Sequence, residues 1–200
     1  REAAAAPAGP GMQSHHPSVT LLRVPNAERS LLEAAVKRGL RLDGRGLSEF
    51  RRLHLSVSRA EGIASAEAHL GATRVAAHVS CSVVTPYPDR PNEGVLQFFA
   101  DLSPGAAAPD TGGSVGSASP AELSRFLERT MKESRVLDTE ALCLVSGERV
   151  WNLRCDVQVL DHCGNLLDVA LLAAVAALKM FRKPEVSITY EGSSVVRVLH

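Results

Sequence analysis

The sequence predicts an α+β fold. Three observations carry that expectation. Apolar residues alternate with polar ones at 53–57, 74–84 and 151–159; apolar stripes of helical period run through 26–36 and 120–131; and strands, helix, strands, helix and strands succeed one another along the chain. That order implies a largely antiparallel sheet backed by helices.

From Asn26 the pattern is helical, with Asn26 as the expected cap, Leu31, Leu32, Ala35 and Val36 on one face and Gly39 as the stop. Arg41-Leu42-Asp43-Gly44-Arg45-Gly46 then breaks the period with turn residues, and Asp43 with Arg45 reads as a turn-stabilising pair. Strands are expected at 53–57, 63–70 and 74–84, the last two joined through Gly71-Ala72 as a hairpin. A proline-rich loop, Thr85 to Pro91, leads to a strand at 95–102.

Residues 103–119 are low in complexity and read as a flexible insertion. Ser119, Pro120 and Glu122 spell a capping box with proline at the first helical position. Leu123, Phe126, Leu127, Thr130 and Met131 form the buried stripe of that helix. Further on, Trp151, Leu153, Cys155, Val157 and Val159 share a strand face, and 161–165 is a turn. The stretch 168–181 is apolar nearly all round and is expected to be enclosed. Pro184 ends it, and 186–190 with 195–199 reads as a closing hairpin. Residues 1–20 read as a disordered Ala/Pro/Gly-rich extension and 21–200 as one domain.

At 200 residues the chain is long enough to bury a substantial core. Hydrophobic residues are 45% but aromatics only 4%, so alanine, leucine and valine must build most of the interior. The longest apolar run, 169–178, falls well short of the roughly 20 residues a spanning helix needs, so no membrane partner is expected. Lys+Arg and Asp+Glu balance at 22 each, whereas a free-standing nucleic-acid-binding domain carries a basic excess. Any nucleic-acid contact must come from a local cluster or a site shared with other chains.

Cys81, Cys143, Cys155 and Cys163 lack zinc-type spacing and read as structural thiols of a reducing compartment. No metal or other cofactor is expected. Asp161-His162-Cys163 holds the letters of a catalytic triad, but three consecutive residues cannot face one another as a triad does, and turn chemistry accounts for them better. Asp156 and Asp168 invite a metal reading, but Asp168 is better placed at a helix N-terminus, where it faces the helix dipole. His15 and His16 fall in the extension, and Gly112 to Gly116 lies in the low-complexity segment rather than between strand and helix.

Arg125, Arg129 and Lys132 stand at i, i+4 and i+7 on the capped helix and so share a face. Arginine suits phosphate because its planar donor fork binds two oxygens at once. Spacing alone favours an ordinary solvated face, with Glu128 and Glu133 as local partners. Arg90 and Arg74 are further single candidates for a backbone-binding path.

Arg41-Leu42-Asp43-Gly44-Arg45 resembles the R-x-D-G-R signature of the RNase PH superfamily, and Gly71-Ala72-Thr73-Arg74-Val75 resembles its hairpin motif. Pro86 to Gly94 is similar to the same loop in archaeal non-catalytic exosome ring subunits. Gly147 to Trp151, then Asp156, then Leu160 to Asp168 resemble the family's central strand, turn and helix. The resemblance covers roughly residues 26–190 in the right order. Glu28-Arg29, 138–143 and 181–186 look most like one eukaryotic ring-subunit type.

The resemblance implies an RNase PH-like domain with a left-handed βαβ, ribosomal-protein-like fold, of which the C-terminal part is expected to be missing here. It implies a non-catalytic subunit of a heterohexameric ring that supports 3′-to-5′ RNA processing and degradation in nucleus, nucleolus and cytoplasm. The implied partners are other RNase PH-like ring subunits, RNA-binding cap subunits, an associated hydrolytic exoribonuclease, and RNA threaded through the pore. Arg125 and Arg129 fall where archaeal relatives place arginines beside the RNA, which turns the reading of that face, with Lys132 and Arg90, towards RNA binding. The alternative is an active phosphate-dependent 3′–5′ exoribonuclease subunit, which needs inorganic phosphate and acidic residues of the domain's second half.

Overall fold

A computed structural model describes residues 26–106, 119–191 and 193–198, with side chains described as far as residue 188. The extension expected at 1–20 and positions 107–118 of the insertion lie outside the described residues. The chain divides into two units, Arg1–Glu49 and Phe50–His200.

In the first unit, α1 spans Asn26–Lys37. Asn26 is its first helical residue rather than the residue before it, and its carbonyl accepts from the Ser30 hydroxyl at 2.9 Å. Gly39 ends the helix at φ 72°, a left-handed turn that costs glycine little. The stripe Leu31, Leu32 and Val36 is exposed, and none of α1 is buried. In the turn that follows, the Arg45 side chain donates to Asp43 at 2.7 Å and holds that carboxyl below its usual range. The expected pair therefore exists.

The second unit holds β1 (Leu53–Ala60), β2 (Ile63–Leu70), β3 (Thr73–Val84), β4 (Val95–Leu102), α2 (Pro120–Glu133), a 3-10 turn at Glu140–Leu142, β5 (Cys143–Val145), β6 (Arg149–Asp161), α3 (Leu166–Met180), β7 (Val186–Glu191) and β8 (Ser193–Val198). The first six strands form one sheet in the order β1-β2-β3-β6-β4, with β5 beside the start of β6. β7 and β8 pair as a separate antiparallel hairpin. Most pairing is antiparallel, as expected, but β4 lies parallel to β6, Val95 opposite Asn152 and Leu102 opposite Val159. A parallel neighbour needs a crossover, and α2 supplies it. β4, α2 and β6 thus make a βαβ unit.

One face of the sheet packs against both long helices. Ala66, Ala68, Val75, Ala77, Val79, Phe98, Cys155 and Val157 join Leu123, Leu127 and Met131 of α2 and Val169, Ala170 and Ala173 of α3 in a single core. Alanines facing alanines let α3 approach the sheet closely, which explains a core built with so few aromatics. Each fully buried leucine or valine contributes about 1.5–3 kcal/mol. α3 begins at Leu166, just after Asn165 in left-handed backbone at φ 59°. It is less enclosed than its composition predicts: Ala170, Ala173, Ala174 and Ala177 are buried, whereas Leu167 is exposed. At the sheet's edge the apolar row Leu53, Leu55 and Val57 of β1 is exposed too. Neither the 3-10 turn nor β5 was expected, because three-residue elements are too short to show a period.

Candidate nucleic-acid interface

α2 is set in place through its first two turns. The Ser119 hydroxyl accepts from the Glu122 N–H at 3.2 Å while the Glu122 carboxylate accepts from the Ser119 N–H at 3.0 Å, the capping box read from sequence. Such a cap is worth about 1 kcal/mol. The Ser124 hydroxyl accepts from the Ala100 N–H at 2.8 Å and so joins the helix to the outer edge of β4. Leu123, Leu127 and Met131 are buried, with Phe126 and Thr130 half-buried beside them. With that stripe fixed inward, Arg125, Arg129 and Lys132 are left exposed.

These three cations differ in their pairing. Arg129 donates to Glu133 at 2.8 Å, and that bond holds its guanidinium further above the usual range. Lys132 donates to Glu128 at 2.6 Å. The partners expected of a solvated face are therefore both present, but each pair is open to water. Pairs of that kind contribute between nothing and about 1 kcal/mol, so a phosphate can displace them. Arg125 has no ion-pair partner among the described residues.

Arg90 lies on the proline-rich loop and pairs with Glu93 at 3.2 Å. That loop is fastened at several points. The Gly147 N–H donates to the Pro91 carbonyl at 3.0 Å, the Ser146 hydroxyl to the Asn92 amide oxygen, and the Gly94 N–H to the Thr139 carbonyl at 2.8 Å. The loop, the end of α2 and the segment 135–140 enclose a cleft of about 890 Å³. The structure thus brings Arg90 and Lys132 to one cleft, while Arg125 and Arg129 lie along the preceding turns of the same helix.

Sequence reasoning missed most of the cleft's lining, Tyr87 and Arg135 among it. Tyr87 presents an exposed ring, and Arg135 sits at φ 48° just past the end of α2. A tyrosine in a proline-rich loop carries no local signal. Arginine is not the residue expected where backbone turns left-handed.

Other candidates have structural duties. Arg74 pairs with Glu67 at 2.9 Å and Asp161 at 3.5 Å. Asp156 is held by Arg154 at 2.8 Å, and Asp168 lies in the first turn of α3. In the turn 161–165, His162 Nδ1 accepts from the Gly164 N–H at 3.1 Å, which uses the lone pair a general base would need. Thr73 and Arg51 secure that turn through Cys163 and Gly164.

Residues 49–184 match RNase PH, the 3′ exoribonuclease family, domain 1. The chain belongs to the RNase PH family. It is 42% identical over 173 residues to exosome complex component RRP45B of Arabidopsis thaliana, covering 86% of this chain and 39% of that protein. It is 45% identical over 163 residues to exosome complex component RRP45 of Danio rerio, covering 82% of this chain and 41% of that protein. The chain thus spans about two fifths of the length of these two relatives. Among solved structures, the Archaeoglobus fulgidus exosome with RNA bound to the active site matches with a TM-score of 0.62 at 30% identity, over 86% of this chain and 75% of that one. The RNase PH resemblance read from Arg41 to Arg45, Gly71 to Val75 and Leu160 to Asp168 is therefore borne out, as is its likeness to a eukaryotic type, here RRP45.

Proposed function

We propose that this chain is a non-catalytic ring subunit of an RNA exosome, which scaffolds the ring and guides RNA through its pore. The observation that carries the reading is the exposed face of α2, where Arg125, unpaired among the described residues, stands one turn before Arg129. Two arginines four positions apart start about 6 Å from each other along the helix axis, a spacing suited to successive contacts with one phosphodiester backbone. RRP45-type relatives are named exosome components, and a matching structure is of an archaeal exosome with RNA bound to the active site, which supports an RNA-handling complex. A net charge of zero is compatible with it, since a shared pore needs only a few cations from each subunit.

The proposed partners are other RNase PH-like ring subunits, RNA-binding cap subunits, an associated hydrolytic exoribonuclease, and RNA. The proposed location is nucleus, nucleolus and cytoplasm. In this reading the chain needs no cofactor, and chemistry comes from associated subunits. The family's description as 3′ exoribonucleases favours a second reading, in which the chain takes part in phosphate-dependent cleavage.

RNA binding measured against salt tests the proposal. Binding is expected in the assembled complex, falling steeply with salt, and to be weak in the isolated chain. Tight binding by the isolated chain that persists at high salt contradicts a shared path. Phosphate-dependent release of nucleoside diphosphates, lost on substitutions in this chain, favours the second reading instead.

A further inference from the structure

The cleft beside α2 has properties that a phosphate path alone does not explain. Its volume, about 890 Å³, is on the scale of small-ligand sites, typically about 300–1,000 Å³. Tyr87 is 61% exposed on its wall, an aromatic surface left open to solvent. Asp89, Glu140 and Arg135 line the same space, and none of their side chains has an ion-pair or hydrogen-bond partner among the described residues. Carboxylates outnumber cations in the lining, Asp89, Glu93, Asp138 and Glu140 against Arg90, Lys132 and Arg135.

That balance argues against a simple anion trap. Ionised carboxylates accept hydrogen bonds and cannot donate them, so the matching ligand brings N–H donors to the carboxylates and turns its own anionic group to the cations. Guanine offers the most such donors of the four RNA bases, a ring N–H and an amino group side by side. Bases splayed out of single-stranded RNA are commonly stacked on aromatic rings and bonded along their edges.

Arg135 supplies an independent observation. Its left-handed backbone lies just beyond the C-cap Ser134, where helices commonly end on glycine. Glycine would end α2 with less strain. Arginine there puts its residue on the wall of the cleft, and backbone strain of this kind concentrates at ligand-binding positions. The fastened proline-rich loop keeps the opposite wall preorganised.

We propose that this cleft holds one unstacked guanine nucleotide of single-stranded RNA, its base against Tyr87, its edge on Asp89 and Glu140, and its phosphate towards Arg135 and Lys132. The proposal rests on the reading of α2 as an RNA-facing surface and adds to it a base-binding position.

The test uses the full-length protein in its assembled complex, with oligouridine carrying a single 6-thioguanosine or, at the same position, a single 4-thiouridine. Photocrosslinks are mapped in wild type and in Tyr87→Ala and Arg135→Gly, of which the second suits the left-handed backbone. Cleft crosslinks are expected from thioguanosine in several-fold excess over thiouridine. Each variant is expected to lower them about fivefold or more while crosslinks to α2 near Arg125 persist. Crosslinks to α2 without any to the cleft overturn the base site but leave the RNA-facing reading standing. No crosslink anywhere on this chain overturns both. If assembly without RNA already shields Tyr87 from solvent labelling, the cleft belongs to a protein segment and the proposal fails.

Discussion

Arg129 Nε lies 2.8 Å from a Glu133 carboxylate oxygen one turn further along α2, while Arg125, one turn earlier, has no such partner among the described residues. The two arginines share a face but not an electrostatic state. Arg125 can meet a phosphate directly, whereas Arg129 must first give up Glu133.

Glu133→Gln should therefore strengthen RNA binding by the assembled complex, by about 2- to 5-fold at low salt. The gain should shrink as salt rises, because the freed guanidinium acts through charge. Arg125→Gln should instead lower the slope of log affinity against log salt by about 1. Both slopes can be read from fluorescence anisotropy titrations. Neither substitution should move stability by more than about 0.5 kcal/mol.

Gly94→Ala should destabilise the second unit by about 2–3 kcal/mol. An added Cβ would lie 2.3 Å from the Leu142 Cβ and 2.8 Å from the Trp151 carbonyl oxygen, where neither neighbour can give way freely. Denaturant unfolding checks this. The loop carrying Tyr87 and Arg90 should loosen as well, visible as faster amide exchange at 87–93.

Thr73→Val removes a buried hydroxyl that donates to the Gly164 carbonyl at 2.8 Å and accepts from the Cys163 N–H at 3.1 Å. The shape is preserved, but the Cys163 N–H loses its partner and the Gly164 carbonyl keeps only Arg51 at 3.2 Å, so a loss of about 2 kcal/mol is expected. RNA binding by the assembled complex should be unchanged, which separates the 161–165 turn from the RNA surface.

What the sequence discloses depends on how far apart the determining residues lie. Ser119 and Glu122 sit three positions apart, so their reciprocal cap was legible, and so was the stripe from Leu123 to Met131. The parallel pairing of β4 with β6 was not, because nothing within 95–102 records which of two distant strands it joins. Arg125, Arg129 and Lys132 were legible as a face from helical spacing alone. The cleft was not, since Tyr87, Lys132 and Glu140 come from three separate segments, and its clearest mark, Arg135 in left-handed backbone, contradicts that residue's usual preference. The apolar stripe of α1 was legible too, but periodicity predicts a face and not what covers it.

The cysteines should separate by reactivity. Burial, helped by nearby Asp156, pushes the Cys155 thiol up to about 12, whereas Cys163 is exposed. At pH 8 the Cys155 thiolate is then on the order of one part in ten thousand. Alkylation followed by peptide mass spectrometry should find Cys163 modified first and Cys155 only when the sheet unfolds. Early labelling of Cys155 would contradict its place in the core.

Whether the exposed face of α2 lies on an RNA path is decided by RNA crosslinking across the assembled complex. Wild type is compared with Arg125→Glu/Arg129→Glu at matched assembly. Crosslinks to this chain are expected to be lost with the ring intact. Unchanged crosslinks would contradict such a path, returning both arginines to an ordinary solvated face and leaving the chain a purely architectural role.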